Sequence, residues 1–290
     1  MEIIETLING LSSGSTYAMI ALGYTMVYGI AKMLNFAHGD VIMVGGYVLY
    51  VTMTTLGSPL LGLVAAVLFC ILLGITIEKI AYKPLRGASP LAVLITAIGV
   101  SYLLQSTAQI MFGTAPKMAI IGKLGNFKIG TLKVPTYVII TLACSAIIMI
   151  TLTLFVKKTK TGRAMIAVSE DKGAAQLMGI NVNKIIMITF AIGSGLAACA
   201  GFFMLMKAPS LSNTLGAMPG IKAFTAAVIG GIGSIPGAMV GGLLMGLVEA
   251  ITAKSAAIAP YTDAIEFMIL IIILLVKPTG ILGKVRREKV

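Results

Sequence analysis

PLLGLVAAVLFCILLGITI, residues 59–77, contains no charged side chain, and it lies between Ser58 on one side and Glu78 and Lys79 on the other. Wound as an α-helix it would be about 28 Å long, close to the thickness of a bilayer's hydrocarbon core. In lipid every backbone N–H and C=O must find a partner within the segment, so a helix is the form such a run must take. Eight further apolar runs are spread along the chain, at 6–30, 41–56, 91–111, 134–156, 185–206, 222–235, 238–253 and 264–276. The fold class expected is therefore all-α, a polytopic integral membrane protein with about 8–9 transmembrane helices. The last three runs are short or interrupted by glycine, so one of them reads as re-entrant.

The whole composition agrees with this. Of 290 residues, 58% are hydrophobic and 11% charged, and the mean hydropathy is +1.02. A soluble domain carries roughly a quarter of its residues charged. No polar stretch exceeds about 30 residues, too little for a nucleotide-binding fold or a ligand-capturing ectodomain. The N-terminal Met1-Glu2-Ile3-Ile4-Glu5 has no basic region of the kind that opens a removable signal peptide. Cys70, Cys144 and Cys199 each fall inside an apolar run and are expected as free thiols.

The net charge of +12 sits in short connections rather than on one basic face, which favours positive-inside asymmetry over nucleic-acid binding. Three connections are dense in positive charge: Lys79, Lys83 and Arg86; Lys157, Lys158, Lys160, Arg163, Lys172 and Lys184; and the tail, with Lys277, Lys284, Arg286, Arg287 and Lys289. If all three are cytoplasmic, even numbers of spans separate them, as the apolar runs allow, and the N-terminus lies outside. Lys117, Lys123, Lys128 and Lys133 then fall in an outer connection, against the trend.

Two places break the helical pattern. One is Asn35-Phe36-Ala37-His38-Gly39-Asp40; the other is Gly230-Gly231-Ile232-Gly233-Ser234-Ile235-Pro236-Gly237. Non-helical backbone at membrane depth survives only inside protein or beside water. Asn35, His38, Asp40, Gly45, Gly46, Gly231, Gly233 and Pro236 are therefore candidate pathway or broken-helix positions. Each break leads into a similar string, Met43-Val44-Gly45-Gly46 and Met239-Val240-Gly241-Gly242, as paired halves of a transporter do. Close helix packing accounts for the same glycines. Asp40 reads either as a functional ionisable group in the membrane or as a surface residue capping a helix that begins at Val41. His38 is the sole histidine, so a histidine metal cluster is excluded. Glu249 and Glu266 lie near run ends, fewer than proton-driven transporters usually place at depth.

The connection 157–184 is unlike the others. Residues 163–178 can form one helix ending at Gly179, with Ala164, Ala167, Val168, Ala175 and Met178 on one face. Such a weakly apolar helix suits a groove on another protein. Gly173-Ala174-Ala175-Gln176-Leu177-Met178-Gly179 resembles the Glu-Ala-Ala…Gly loop through which ABC importer permeases contact their ATPase, with Gly173 where many have Glu. The wider stretch from Gly162-Arg163-Ala164 to Leu177-Met178-Gly179-Ile180-Asn181 resembles the bacterial branched-chain amino acid permeases of high-affinity ABC importers. Residues 23–29 with 34–40, and residues 222–237, agree with the same family, and the chain is similar to its shorter, H-type members.

The resemblance implies a single transmembrane permease domain over 1–290, with a cytoplasmic coupling loop at about 157–184. Arg163, Ala164, Ala174, Ala175, Met178 and Gly179 would serve ATPase coupling. The implied partners are a second, M-type permease subunit, two ATPase subunits and an extracytoplasmic substrate-binding protein, in the bacterial inner membrane. This chain would bind no cofactor, ATP and Mg being held by the ATPases, and would catalyse no covalent step. It carries no Walker A pattern, no HExxH and no metal constellation. An ion-coupled secondary transporter of small solutes remains the alternative.

Overall fold

The computed structural model describes residues 2–122, 125–129 and 132–283. Lys123, Lys284, Arg286, Arg287 and Lys289, used above to orient the chain, lie outside the described residues. The chain starts with a 30-residue helix, α1 (Glu2–Ala31). A non-helical segment, 32–37, leads to α2 (His38–Leu56), which ends in a left-handed Gly57. α3 (Pro59–Ile77) starts with Ser58 accepting from the Leu61 N–H and Pro59 in the first turn, where its missing N–H costs nothing. It runs on through a π-helical turn, Glu78–Tyr82. α4 (Pro90–Phe112) repeats the Ser-Pro start at Ser89.

Short strands β1 (Lys117–Met118), β2 (Asn126–Ile129) and β3 (Leu132–Pro135) follow, and then α5 (Thr136–Lys158). Next come α6 (Lys160–Glu170), α7 (Lys172–Leu177) and α8 (Val182–Lys207). After β4 (Ser210–Leu211) the chain closes with α9 (Ala217–Gly230), α10 (Ile235–Ala253) and α11 (Thr262–Val276). β2 pairs with β3, and β1 pairs antiparallel with β4. That second pairing ties the α4–α5 connection to the α8–α9 connection at one end of the molecule.

Among the described residues, seven helices are long and apolar enough to cross a membrane. This corrects the expected eight or nine, for two physical reasons. α9 has 14 residues, about 21 Å, too short for a core of roughly 30 Å. α1 is long enough, but Ser12, Ser13, Ser15, Thr16 and its glycines dilute its hydropathy. Its polarity is tolerated because it is enclosed: it packs on α10, α8, α9 and α5, and residues 14–27 are buried without exception. Lipid is replaced there by protein.

α1 and α10 run antiparallel in close approach. A Cβ added at Gly246 would collide with the backbone of Gly14, and one at Gly242 with Ala18. Small residues at such crossings let backbones pack directly, the main source of helix association in lipid. Gly246→Leu should therefore force α1 and α10 apart, destabilising the protein by about 3 kcal/mol or more. Gly99→Leu, at a position with open space around it, should leave the thermal unfolding midpoint of the detergent-purified protein unchanged, while Gly246→Leu lowers it.

Candidate functional site

α2 begins inside the protein rather than at its surface, with His38, Gly39 and Asp40 buried, and the start of α9 reaches it there through the buried Gly216 and Gly220. His38, the first residue of α2, lies against Gly23, about 12 Å before the end of α1 at Ala31. The non-helical segment 32–37 thus turns back from the end of α1 and climbs beside it. It is held there by Asn35, whose side-chain oxygen accepts from the Tyr82 hydroxyl at 2.8 Å and whose carbonyl accepts from the His38 N–H. α9 starts at the same depth from the opposite side. A Cβ at Gly216 or Gly39 would strike the other's backbone, and Gly220 lies against Gly39 as well. The N-termini of α2 and α9 therefore meet where only glycine fits.

Asp40 stands in the first turn of α2 and is buried. It caps nothing: the N-cap, Ala37, makes no side-chain bond. Its carboxylate accepts instead from Gln105 Nε2 at 2.8 Å and from the Ser101 hydroxyl, both on α4. The surface-cap reading is thus replaced by a buried carboxylate at the positive end of a helix. His38 is also buried, edge-on to Tyr24 at 4.7 Å between centroids. Tyr24 in turn meets Phe224 of α9 at 5.8 Å.

Asn35, His38 and Asp40 come together in this way; the other pathway candidates lie elsewhere. Gly45 packs on Ala198 and Cys70, and Gly46 on Leu205 and Leu211. Gly231 (φ 106°) and Gly233 (φ 92°) form the α9–α10 turn, with Pro236 in the first turn of α10. Gly233 lies close to Gly29 near the end of α1, and the turn is covered by the tail, where Ile281 and Leu282 donate to the carbonyls of Ile229 and Gly230. The break that reaches the depth of His38 is 208–216, which the sequence reading passed over. Its signal was present in Pro209, Ser212, Asn213, Thr214 and Gly216, a run of turn-forming residues after α8.

An ionic cluster was also missed. Lys222 of α9 lies 2.7 Å from Asp263 and 3.3 Å from the fully buried Glu266, both on α11. Tyr17 of α1 is hydrogen-bonded to Glu249 of α10. Such charges persist in a membrane protein only when paired inside the bundle. Here they fasten α9, α10, α11 and α1 to one another. Among the described residues no group of three or more His, Cys, Asp or Glu side chains could hold a metal.

The far end of α1 meets the connection 159–181. The single helix expected over 163–178 is two, because Asp171 leaves helical geometry (φ −149°, ψ 116°) and caps α7 through the Ala174 N–H at 2.9 Å. α7 stops at Gly179 (φ 80°), with Ile180 N–H donating to Ala175 O and Gly179 N–H to Gln176 O. This is the paired-bond helix stop that a left-handed glycine allows. Ala175 faces inward and is 4% exposed, whereas Leu177 and Met178 are 91% and 82% exposed. Arg163 and Ala174 are exposed and Ala164 half-buried.

Lys172 of α7 reaches back to the end of α1 and donates to Ala31 O at 2.8 Å. That carbonyl belongs to the last turn of α1, whose C=O groups have no partner within the helix. Burial pulls the Lys172 ammonium below its usual pKa, and the nearby Arg86 guanidinium adds to the shift. Arg86 itself bonds Glu78 and Asn183, joining the end of α3 to the start of α8.

Comparison with known proteins agrees with this architecture. Residues 6–274 match the family model described as branched-chain amino acid transport system / permease component. The chain is 44% identical to the high-affinity branched-chain amino acid transport system permease protein BraD of Pseudomonas aeruginosa, over 99% of this chain and 98% of that one. It is 41% identical to the corresponding protein LivH of Escherichia coli, over 100% and 98% of the two chains. The ribose import permease protein RbsC of Haemophilus influenzae is similar at 26% identity, over 85% of this chain and 76% of that one. With seven helices able to cross a membrane and full-length similarity of this order, the chain belongs to the family of permease components of branched-chain amino acid transport systems.

Proposed function

We propose that this chain is one of two permease subunits of an ATP-driven importer in the bacterial inner membrane, carrying branched-chain or closely related amino acids. A second permease, two ATPase subunits holding ATP and Mg, and an extracytoplasmic binding protein complete it. The end carrying α6, α7 and the α9–α10 turn would be cytoplasmic, and the end carrying β1 and β4 would be outside. An ion-gradient mechanism is less well supported, since the carboxylates Glu249, Asp263 and Glu266 are gathered around Lys222 and Tyr17 rather than strung across the bilayer.

The observation that carries the coupling role is the tip of α7. Leu177 and Met178 are nearly fully exposed at the end that holds the basic connection 157–184. Two large apolar side chains left in water beside a fixed helix stop are suited to a partner's groove. Ala175 anchors α7 from the inside. A push on the tip would be passed on by Lys172 to the carbonyl end of α1, and α1 would carry it to the bundle.

Two substitutions separate docking from transmission. Leu177→Glu should give an inserted permease that no longer co-purifies with its ATPase subunits, because the new carboxylate would be desolvated in the contact. Lys172→Met should keep the ATPases bound while removing a charge-assisted bond of about 1.5–3 kcal/mol. ATP hydrolysis in that complex should then respond only weakly to amino-acid-loaded binding protein, and Lys172→Arg should restore part of the response. Co-purification followed by transport in vesicles loaded with ATP measures both. Wild-type transport by Leu177→Glu would remove α7 from the contact, and wild-type coupling by Lys172→Met would remove the link to α1.

A further inference from the structure

The outer half of α1 is polar on the face turned toward α8. Ser12, Ser13, Thr16 and Tyr17 line a cleft of about 190 Å³ together with Phe203 and Lys207 of α8. Lys207 Nζ donates to Ser13 Oγ at 2.7 Å across its mouth. The Lys207 ammonium is held there by a hydroxyl rather than a carboxylate, and a charge so placed is costly to turn to lipid. The cleft therefore faces water or a polar solute. Behind it the Tyr17 hydroxyl is bonded to Glu249, whose Oε2 is buried and accepts no hydrogen bond.

We propose that this α1–α8 cleft is the outer binding site for a zwitterionic α-amino acid with a short apolar side chain. The proposal rests on the importer reading above and gives that reading a place on this subunit. The substrate carboxylate takes the Lys207 ammonium in place of Ser13. Its ammonium group donates to the oxygens of Ser12 and Thr16, with the Glu249 carboxylate behind Tyr17 favouring positive charge. The aliphatic chain rests on Phe203. The size fits: pockets for drug-sized ligands begin at roughly 300 Å³, and this one is smaller.

The test uses the assembled transporter in membrane vesicles, with Ser13→Cys or, as a second position, the exposed Ala208→Cys. An impermeant thiol reagent applied from outside should modify both, against a background in which the native Cys70, Cys144 and Cys199 are buried or half-buried in spans. L-leucine at about ten times its Kd should slow the reaction about tenfold by occupancy. 4-Methylpentanoate, which lacks the ammonium, and isoamylamine, which lacks the carboxylate, should not protect at that concentration. Lys207→Met should abolish the leucine protection while leaving the thiols reactive. Unreactive thiols at both positions, or equal protection by all three compounds, would overturn the proposal. ATP-dependent leucine uptake by the unsubstituted complex is measured in parallel. Uptake without protection rejects the cleft and keeps the importer reading, whereas absence of uptake rejects the importer reading itself.

Discussion

A helix that begins inside a membrane protein exposes N–H groups that lipid cannot satisfy, and the centre of this molecule is arranged around that constraint. At the start of α2, Tyr24 accepts from the backbone of Gly39, the His38 imidazole donates to the Ile20 carbonyl, and the Asn35 and Ala37 carbonyls close the first turn. At the start of α9, the carbonyls of Ser212, Thr214 and Gly216 perform the same service in successive turns. The two starts can share one depth only because Gly39, Gly216 and Gly220 bring no side chain between them. The partners are drawn from α1 and from the re-entering segments, so α1 has to be both central and partly polar.

This accounts for the division of labour among the helices. α3, α4, α5 and α11 present large exposed apolar faces, including Leu72, Leu103, Ile147 and Leu275, suited to lipid or to a second membrane subunit. α1, α8 and α9 are buried over most of their length and rich in small residues. α1 passes the starts of α2 and α9 at its middle and ends against Lys172 of α7. A displacement applied at α7 therefore has a direct route, through one helix, to the place where the two broken segments cross. Helices that start at mid-depth are also the form in which transporters commonly place backbone dipoles near a pathway.

Much of this was readable in the sequence. The run 59–77 coincides with α3, and Ser58-Pro59 and Ser89-Pro90 announce two helix starts. Gly179 marks the end of α7 as expected. The family resemblance carried by 23–40, 162–181 and 222–237 agrees with the match over 6–274. Depth was not readable, since hydrophobic periodicity reports which face is buried and not how far into the membrane a break lies. Asn35–Asp40 therefore read as surface or interior with equal ease, and the Gly-rich 230–237, richer in helix breakers, drew attention away from 208–216. One helix was expected over 163–178 because a helical wheel assumes a continuous helix, whereas the Asp171 carboxylate caps a second one. The pairing of Lys222 with Asp263 and Glu266 joins residues far apart in sequence, which local pattern does not encode.

The central claim is that 32–37 re-enters the protein and lies beside α9, with the rings of Phe36 and Phe224 5.5 Å apart between centroids. The direct measurement is disulfide formation in membranes between Phe36→Cys and Phe224→Cys, with a membrane-permeant oxidant, scored by linkage of fragments after cleavage between the two positions. The account predicts rapid, near-complete cross-linking that neither single substitution shows. Free thiols at both positions under the same oxidation, in a protein that still inserts and assembles, would place 32–37 outside the bundle and contradict it.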